Sequence, residues 1–376
     1  MHNALNKYFD SRTPIAADIG LETHCRRHIG VSGKSDRQEL GSGRQSVRLR
    51  LRQQSSPNRK KRLGRSAISA EILITQNLLK SCADALEEKF TVHRLFEAKD
   101  RDALLKEVGP RIRGIAGGPV TAELMDRLPK LEIIANFGVG YDSIDTVAAR
   151  RRNIRVTNTP NVLNDAVAEI TIGLMIALAR RIPQADRFVR DGKWLKGSYP
   201  LLSELNGKTI GILGLGRIGR EIAARAQAMK MRVVYYGRRR RSKEPFTFYS
   251  ELTDMARDID WLVIIAPGGK ATEKIVSRQV LEALGPKGML VNMARGSLID
   301  QVAMVEMLAS GALGGAALDV FEKEPNVPEA LFGLDNVVLS PHQGSATVET
   351  RYGMGQLLVD NLVAHFNGEP LLSAVV

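Results

Sequence analysis

The sequence predicts an α/β protein with two domains, each built on a doubly wound parallel sheet, preceded by a basic N-terminal extension. Three observations lead to this fold class. Short apolar runs with strand character alternate with amphipathic helical stretches from about residue 67 onwards. A glycine-rich turn joins a strand to a helix near the middle of the chain. With 376 residues and 44% hydrophobic content, the chain can bury two cores of ordinary domain size.

The N-terminal extension, residues 1–66, is strongly basic and lacks hydrophobic periodicity. It holds 15 Lys and Arg against five Asp and Glu, which leaves 39 basic and 36 acidic residues in the rest of the chain. Because it is polar and rich in Arg, Ser and Gly, we expect it to be disordered. It is interpreted as a targeting peptide, the product of a misassigned start codon or a nucleic-acid-binding tail. Its acidic residues count against the first reading, and its few aromatic side chains count against the third.

The first domain is predicted to begin at residue 67 and to contain five strands before residue 162. Five apolar runs separated by amphipathic stretches indicate these strands, at residues 70–75, 90–95, 112–116, 131–136 and 155–157. A strongly apolar stretch at residues 164–180 then predicts a buried helix that leads into the second domain.

The second domain, residues 163–343, contains a strand at 209–213, a glycine-rich turn, a helix at 220–229 and a strand at 231–236. The turn, residues 214–219, reads Gly-Leu-Gly-Arg-Ile-Gly and matches the G-x-G-x-x-G pattern of Rossmann-like βαβ units. Its glycines permit a tight turn, a close approach to a pyrophosphate and close helix–strand packing. The helix N-terminus favours bound phosphate. The predicted cofactor contacts here are Gly214, Leu215, Gly216, Arg217 and Ile218.

The end of the second strand of this unit indicates which dinucleotide is bound. An NAD site normally has an acidic residue there to accept hydrogen bonds from the ribose. In this chain the position is Gly237, and four arginines follow, of which Arg238 and Arg239 are best placed to pair with a ribose phosphate. A run of arginines also suits a solvated loop. Directly after this strand, however, it favours NADPH or NADP over NADH or NAD.

Three ionisable residues follow three successive predicted strands of the second domain. Strands at 288–292, 314–318 and 336–340 are followed by Arg295, Glu324 and His342. Ligands bind beyond the carboxyl ends of parallel strands, so these side chains are candidates for one site. Reducing a 2-oxo acid requires a proton donor and a cation for the carboxylate and ketone oxygens. A histidine paired with a carboxylate, together with an arginine, meets these requirements.

These residues lie in motifs that resemble the D-isomer-specific 2-hydroxyacid dehydrogenase family. The resemblance runs from about residue 69 to the C-terminus. The segments 291–300, 315–325 and 340–342 are similar to those that supply the family's catalytic arginine, glutamate and histidine, and they contain Arg295, Glu324 and His342. The loop Asn136-Phe137-Gly138-Val139-Gly140-Tyr141-Asp142 resembles the one whose amides hold the substrate carboxylate. One departure is Gly268-Gly269, where the family usually has a bulkier Leu-Thr pair.

The resemblance implies further roles and contacts. It makes the first domain flavodoxin-like and adds residues 344–376 to it, because the family's last helix, here 347–366, returns there. It implies a homodimer in which the segment 191–205 wraps a second subunit. The implied substrate contacts are Gly117, Gly118, Val139, Gly140, Arg295 and His342, and the additional cofactor contacts are Ala266, Pro267, Ala294, Asp319, His342 and Gly344.

Within the family, the chain is most similar to the NADP-dependent glyoxylate/hydroxypyruvate reductases. This implies reduction of glyoxylate to glycolate and of hydroxypyruvate to D-glycerate. The alternatives are a 2-ketogluconate reductase or another broad-specificity D-2-hydroxyacid dehydrogenase. A nucleotide-sensing scaffold like the corepressors of this fold, and a nucleic-acid-binding protein with a vestigial enzyme, stay open as hypotheses of other classes.

Composition argues against several other classes of protein. The sequence has no apolar run of about 18 residues, so we expect no membrane span. Its two cysteines, Cys25 and Cys82, lie far apart without a partner motif, which argues against a disulfide scaffold or a metal site and favours a cytoplasmic location. Apart from the extension, the chain is almost neutral, so no nucleic-acid partner is expected.

Overall fold

The computed structural model describes residues 68–376, which contain twelve strands and eleven α-helices. The predicted disordered extension, residues 1–66, lies outside these described residues. Every paired strand in the described part of the chain is parallel to its neighbour, and the strands form one sheet of five and one of seven. The predicted α/β class with two parallel sheets is confirmed.

The first sheet has the strand order of flavodoxin-like folds, β2-β1-β3-β4-β5. The five predicted strands are all present, and three of them are shorter than predicted. They are β1 (Glu71–Ile74), β2 (Thr91–Arg94), β3 (Ile112–Ala116), β4 (Ile133–Ala135) and β5 (Arg155–Thr157), with helices α1 (Lys80–Glu87), α2 (Arg101–Val108), α3 (Ala122–Asp126) and α4 (Thr146–Arg151).

The second sheet has the Rossmann order with one additional strand, β12-β11-β10-β9-β6-β7-β8. Its strands are β6 (Thr209–Leu213), β7 (Arg232–Tyr236), β8 (Thr247–Tyr249), β9 (Trp261–Ile264), β10 (Met289–Asn292), β11 (Gly315–Leu318) and β12 (Val337–Leu339). Its helices are α5 (Asn164–Ala179), α6 (Ile182–Arg190), α7 (Arg217–Ala228), α8 (Leu252–Arg257), α9 (Arg278–Leu284) and α10 (Gln301–Ser310).

Two features of this sheet differ from the sequence-based expectation. Strand β8 was not predicted, because it is a three-residue edge strand whose side chains stay partly exposed, so no apolar run marks it. Helix α7 begins at Arg217, three residues before the predicted start. The third glycine of the turn therefore lies inside the helix, where its missing side chain lets the helix approach β6.

The last helix, α11 (Val348–Phe366), packs against the first sheet. The Thr347 side chain caps it by accepting a hydrogen bond from the Thr350 N–H at 3.1 Å. Leu358 and Leu362 join the core under β1, β3 and β4. Buried Asn361 donates to Ser373 Oγ at 2.9 Å and thereby holds the C-terminal segment. This packing supports the assignment of residues 344–376 to the first domain, whose limits stay a prediction.

The loops that carry the candidate residues follow the carboxyl ends of β3, β4, β6, β7, β9, β10, β11 and β12. In a parallel sheet these ends share one edge, and ligands bind beyond it. No helix within residues 68–376 is both long and apolar enough to cross a membrane.

Candidate active site

His342 and Glu324, in the loops that follow β12 and β11, form a hydrogen-bonded pair. His342 Nδ1 and Glu324 Oε2 are 2.7 Å apart, and the Phe321 N–H donates to the other glutamate oxygen at 3.0 Å. Since Nδ1 faces the carboxylate, Nε2 is the ring nitrogen available to a ligand. The histidine side chain is 48% exposed, so a ligand can reach it. The structure therefore joins two of the three predicted catalytic residues directly.

Asp319, which is 1% exposed, organises the loop that carries the histidine. Its Oδ1 accepts hydrogen bonds from Ser340 Oγ and the Gln343 N–H, both at 2.6 Å, and its Oδ2 accepts from the Gly344 N–H at 2.9 Å. The loop needs this support because His342 has a φ of 55°, in the left-handed region that favours glycine. A carboxylate oxygen can accept more than one hydrogen bond, so the predicted cofactor contact of Asp319 stays a prediction.

Arg295 follows β10 on a turn that a buried asparagine holds. The Asn292 side chain accepts from the Ala294 N–H at 3.0 Å and donates to the Arg295 carbonyl at 2.9 Å. The guanidinium donates through Nη1 to the Ala294 carbonyl at 2.7 Å and through Nε to Asp142 Oδ2 at 3.0 Å. Arg295 is therefore held in place at the strand ends. It is not a freely solvated surface charge.

The loop after β4 presents free backbone amides. Asn136 Nδ2 donates to the carbonyls of Gly138 at 3.0 Å and Gly140 at 2.8 Å, and Asn158 Nδ2 donates to the Val139 carbonyl at 2.9 Å. The N–H groups of Val139 and Gly140 have no acceptor within residues 68–376. With its carbonyls bonded to protein and two amides free, this loop can bind an anion.

Gly117 and Gly118, after β3, are buried, and their amides already have acceptors. The Gly117 N–H donates to the Ala135 carbonyl at 2.9 Å, and the Gly118 N–H donates to Gln76 Oε1 at 3.2 Å. Their predicted contact with substrate stays a prediction. Because both amides are already bonded, the two glycines are better suited to leaving space for the substrate than to donating hydrogen bonds to it.

The glycine-rich turn after β6 fits a dinucleotide phosphate. Gly214 has a φ of 105°, and a side chain there would lie 2.8 Å from the Ala266 nitrogen. A Cβ at Gly216 would meet open space, which leaves the backbone accessible to a pyrophosphate. The N–H groups of Arg217 and Ile218 have no acceptor in the described chain. The turn therefore offers free donors at a helix N-terminus.

The residues predicted to recognise the ribose phosphate follow β7. The nearest carboxylate after them in sequence, Glu244, pairs with Arg220 at 2.6 Å. Arg238 and Arg239 are exposed and form no ion pair within residues 68–376. The Arg241 N–H donates to the buried Tyr235 hydroxyl at 2.8 Å, which holds the end of the run. The structure therefore leaves both guanidinium groups available to a ligand. Their contacts with a cofactor, and those of Ala266, Pro267 and Ala294, stay predictions.

Sequence reasoning assigned no role to several side chains that shape the site. Asn136, Asn158 and Asn292 orient the two turns, and Asp142 contacts the candidate catalytic arginine. Asn136, Asp142 and Asn292 lie inside segments that resemble the family, and Asn158 directly follows the predicted strand at 155–157. For the three asparagines, the available signal was their position at the end of a strand.

Comparison with known proteins defines the class to which this fold and site belong. Residues 172–344 match the family model described as the NAD binding domain of D-isomer specific 2-hydroxyacid dehydrogenases. The chain is also well over 30% identical to members that it covers almost completely. It belongs to the D-isomer specific 2-hydroxyacid dehydrogenase family, which confirms the predicted family and the dinucleotide-binding domain.

Three relatives illustrate the similarity. Glyoxylate/hydroxypyruvate reductase A HPR2 of Arabidopsis thaliana is 47% identical over 294 residues, 77% of this chain and 94% of that protein. The 2-ketogluconate reductase of Gluconobacter oxydans is 42% identical over 309 residues, 81% of this chain and 98% of that protein. The NADPH-dependent glyoxylate/hydroxypyruvate reductase of Sinorhizobium meliloti, crystallised with NADP and malonate, is 45% identical with a TM-score of 0.78, covering 82% of this chain and 97% of that one.

Proposed function

We propose that the protein reduces small 2-oxo acids to D-2-hydroxy acids with NADPH, with glyoxylate and hydroxypyruvate as its main substrates. One observation carries the proposal: a cation and free amides converge at the same place. A Cβ at Gly140 would lie 2.0 Å from Arg295 Nη2, so the guanidinium lies against the loop whose Val139 and Gly140 amides are free. A carboxylate next to a ketone suits this pair of donor groups.

Each residue then has a defined part in the reduction. The amides of Val139 and Gly140 bind the substrate carboxylate, and Arg295 donates to the carboxylate and to the ketone oxygen. When bound, NADPH supplies the hydride that forms the new C–H bond at the carbonyl carbon. As the carbonyl π bond breaks, the protonated Nε2 of His342 gives its proton to the oxygen, forming the hydroxyl. Glu324 holds the imidazole in the required orientation through its bond to Nδ1.

Substrate choice within the family is the main alternative to be tested. The similarity to a 2-ketogluconate reductase supports a sugar acid as the competing substrate. We would measure kcat/KM for glyoxylate, hydroxypyruvate, pyruvate and 2-ketogluconate, each with NADPH and NADH. Highest efficiency with glyoxylate or hydroxypyruvate supports the proposal, and highest efficiency with 2-ketogluconate supports the alternative. Tight NADPH binding without turnover of any of the four would indicate a nucleotide-sensing protein.

We expect a clear preference for NADPH over NADH. Charge-assisted hydrogen bonds from Arg238 and Arg239 to a ribose phosphate are worth roughly 1.5–3 kcal/mol each, and exposure of both side chains places them toward the lower value. About a tenfold preference per arginine follows, and it should shrink at high salt. Gly237→Asp combined with Arg238→Ala should reverse this preference, because the new carboxylate repels the ribose phosphate and one arginine contact with the phosphate is lost. Steady-state kinetics with both cofactors measures the ratio.

Arg232, on the strand just before this run, provides a control for the cofactor experiment. Its Nε donates to Thr209 Oγ1 at 3.1 Å, at the opposite end of the sheet from the predicted cofactor. Arg232→Ala should leave the NADPH to NADH ratio unchanged. Equal efficiency with both cofactors in the unmutated protein would show that the arginine run is only a solvated loop.

We further infer that the protein is a homodimer that buries the segment 191–205. Three large apolar side chains of this segment are exposed, Trp194 at 67%, Leu195 at 93% and Leu201 at 101%. Exposed apolar clusters of this kind mark protein–protein contacts. The segment also borders a groove of about 560 Å³ that Ile176 and Ile182 line. A second copy of the chain is the occupant that the family resemblance supports.

Leu195→Glu combined with Leu201→Glu should convert the dimer to monomers, because two charges would be buried in an apolar contact. Light scattering after size exclusion at micromolar protein concentration measures the mass. Leu372→Glu, at a residue 57% exposed near the C-terminus, is the control and should stay dimeric. A monomeric unmutated protein would reject the inference.

The cytoplasmic location also stays a proposal. Its support is Cys82, a free and buried cysteine whose burial raises the thiol pKa to about 11. A cysteine that stays a free thiol is common in proteins of reducing compartments.

A further inference from the structure

An ion pair connects the two sheets directly at the candidate active site. Asp142 lies in the loop after β4 of the first sheet, and Arg295 follows β10 of the second. The Arg295 Nε donates to Asp142 Oδ2 at 3.0 Å. The two side chains are 34% and 29% exposed, so each is partly shielded from solvent. The proposed reaction requires Arg295 to contact the substrate and gives no role to Asp142. The bond between Asp142 and Arg295 therefore needs a separate explanation.

Two glycines leave the space that this pair occupies. A Cβ at Gly140 would lie 2.0 Å from Arg295 Nη2 and 3.0 Å from Asp142 Oδ1. A Cβ at Gly268 would lie 3.0 Å from Arg295 Cγ and 3.3 Å from Asp142 Oδ2. Gly268 is one of the two residues at which this chain departs from the bulkier pair usual in its family. The departure thus coincides with the place where the arginine stem and the aspartate meet.

We propose that Asp142 is a positioning residue that aims the Arg295 guanidinium at the substrate from the opposite side of the cleft. This rests on the proposed role of Arg295 in binding the 2-oxo acid. A guanidinium has five N–H donors. One, on Nε, is bound to Asp142, and one, on Nη1, is bound to the Ala294 carbonyl. Three donors remain, including both on Nη2, which lies beside Gly140 and the free amides of its loop.

The two bonds hold the guanidinium plane at two of its edges. Because arginine has many rotamers, a guanidinium held only by the Ala294 carbonyl could rotate out of the plane that suits a carboxylate and ketone. Asp142 also brings a negative charge close to an anionic substrate, which would weaken substrate binding if it had no other effect. The proposal therefore requires that the gain in orientation exceeds this repulsion.

The test begins with Asp142→Ala and Asp142→Asn. Misplacing a substrate-binding group by about 1 Å can cost on the order of 100-fold in rate. For Asp142→Ala we expect kcat/KM for glyoxylate to fall about 10- to 100-fold, with the dissociation constant of NADPH changed less than about twofold. Asp142→Asn keeps an acceptor oxygen for Nε and should recover part of the loss. A fall in the KM for glyoxylate in either variant would show that Asp142 competes with substrate, and would overturn the proposal.

Asp165 provides a matched control. It accepts a hydrogen bond from Arg225 Nη2 at 2.7 Å between α5 and α7, outside the candidate site. Asp165→Ala removes an aspartate–arginine pair of the same kind and should leave kcat/KM within about twofold of the unmutated enzyme. An equal loss in the Asp165 and Asp142 variants would indicate general destabilisation and would reject a positioning role.

A double-mutant cycle separates this proposal from the proposed function. Lysine has no Nε–H fork for Asp142 to orient, so Asp142→Ala should cost less than threefold further when combined with Arg295→Lys. Independent, multiplicative losses would overturn the positioning role. If Arg295→Lys alone is fully active, the proposed function fails instead. If Asp142→Ala does not fold, Gly268→Ala is a second variant, because it places a methyl group against Arg295 Cγ. An unchanged kcat/KM for glyoxylate in that variant would count against the proposal.

Discussion

Replacing His342 by alanine should reduce turnover by about 10²- to 10⁴-fold, which is the contribution of a positioned acid–base group. The imidazole has Nδ1 bound to Glu324 at 2.7 Å, so Nε2 is the only ring nitrogen that can give a proton to the substrate. Without it, solvent must supply the proton. The variant should still bind NADPH, because the glycine-rich turn lies in another loop. Single-turnover rates with glyoxylate and a fluorescence titration with NADPH measure the two quantities.

His93 is the matched control for this substitution. Its Nε2 lies 2.7 Å from Glu71 Oε2, at the start of β1, so the chain has a second histidine–glutamate pair of the same length away from the candidate site. His93→Ala should keep near-normal turnover in a folded protein. Near-normal turnover in His342→Ala would instead remove the histidine from the proposed mechanism.

Replacing Arg295 by lysine should raise the KM for glyoxylate and lower kcat, by about 10²- to 10³-fold in kcat if one donor to the developing oxyanion is lost. Lysine keeps the positive charge but not the planar fork that can reach a carboxylate and a ketone oxygen together. It also cannot keep both bonds of the guanidinium, to the Ala294 carbonyl and to Asp142. The dissociation constant of NADPH should change little.

Arg225→Lys tests whether such a loss is specific to the site. Arg225 donates to Glu221 at 2.8 Å and to Asp165 at 2.7 Å, a comparable set of bonds on the surface of α7. Full activity is expected for that variant. If Arg295→Lys affects only NADPH binding, then the arginine has been assigned to the wrong ligand.

The sequence could place much of the candidate catalytic set together, because that placement depends on strand order. Strands β10, β11 and β12 are neighbours in one parallel sheet, so the residues that follow them lie at one edge. Glu324 and His342 therefore had to lie near each other, and their bond could be expected from the sequence. The glycine-rich turn was equally predictable, because each of its three glycines is required by a different geometric feature of a single βαβ unit.

Other features depend on contacts that no local pattern encodes. Strand β8 is short and lies at a sheet edge, so it has no apolar run of its own. The free amides of Val139 and Gly140 depend on Asn136 and Asn158, which are 22 residues apart in sequence and could have faced solvent. The role of Asp319 in holding the histidine loop required knowledge of which atoms its two oxygens meet.

By itself, the sequence determined the two parallel sheets, the family and the glycine-rich turn, and it singled out Arg295, Glu324 and His342 as candidate residues. Hydrophobic periodicity, glycine spacing and position after a strand are local properties, so they can be read from a short segment without knowledge of the rest of the fold. Only the tertiary structure decided that Asp142 meets Arg295 and that Gly140 and Gly268 make room for the pair. Those contacts join different sheets, so they depend on how elements far apart in sequence pack together, which no single segment specifies.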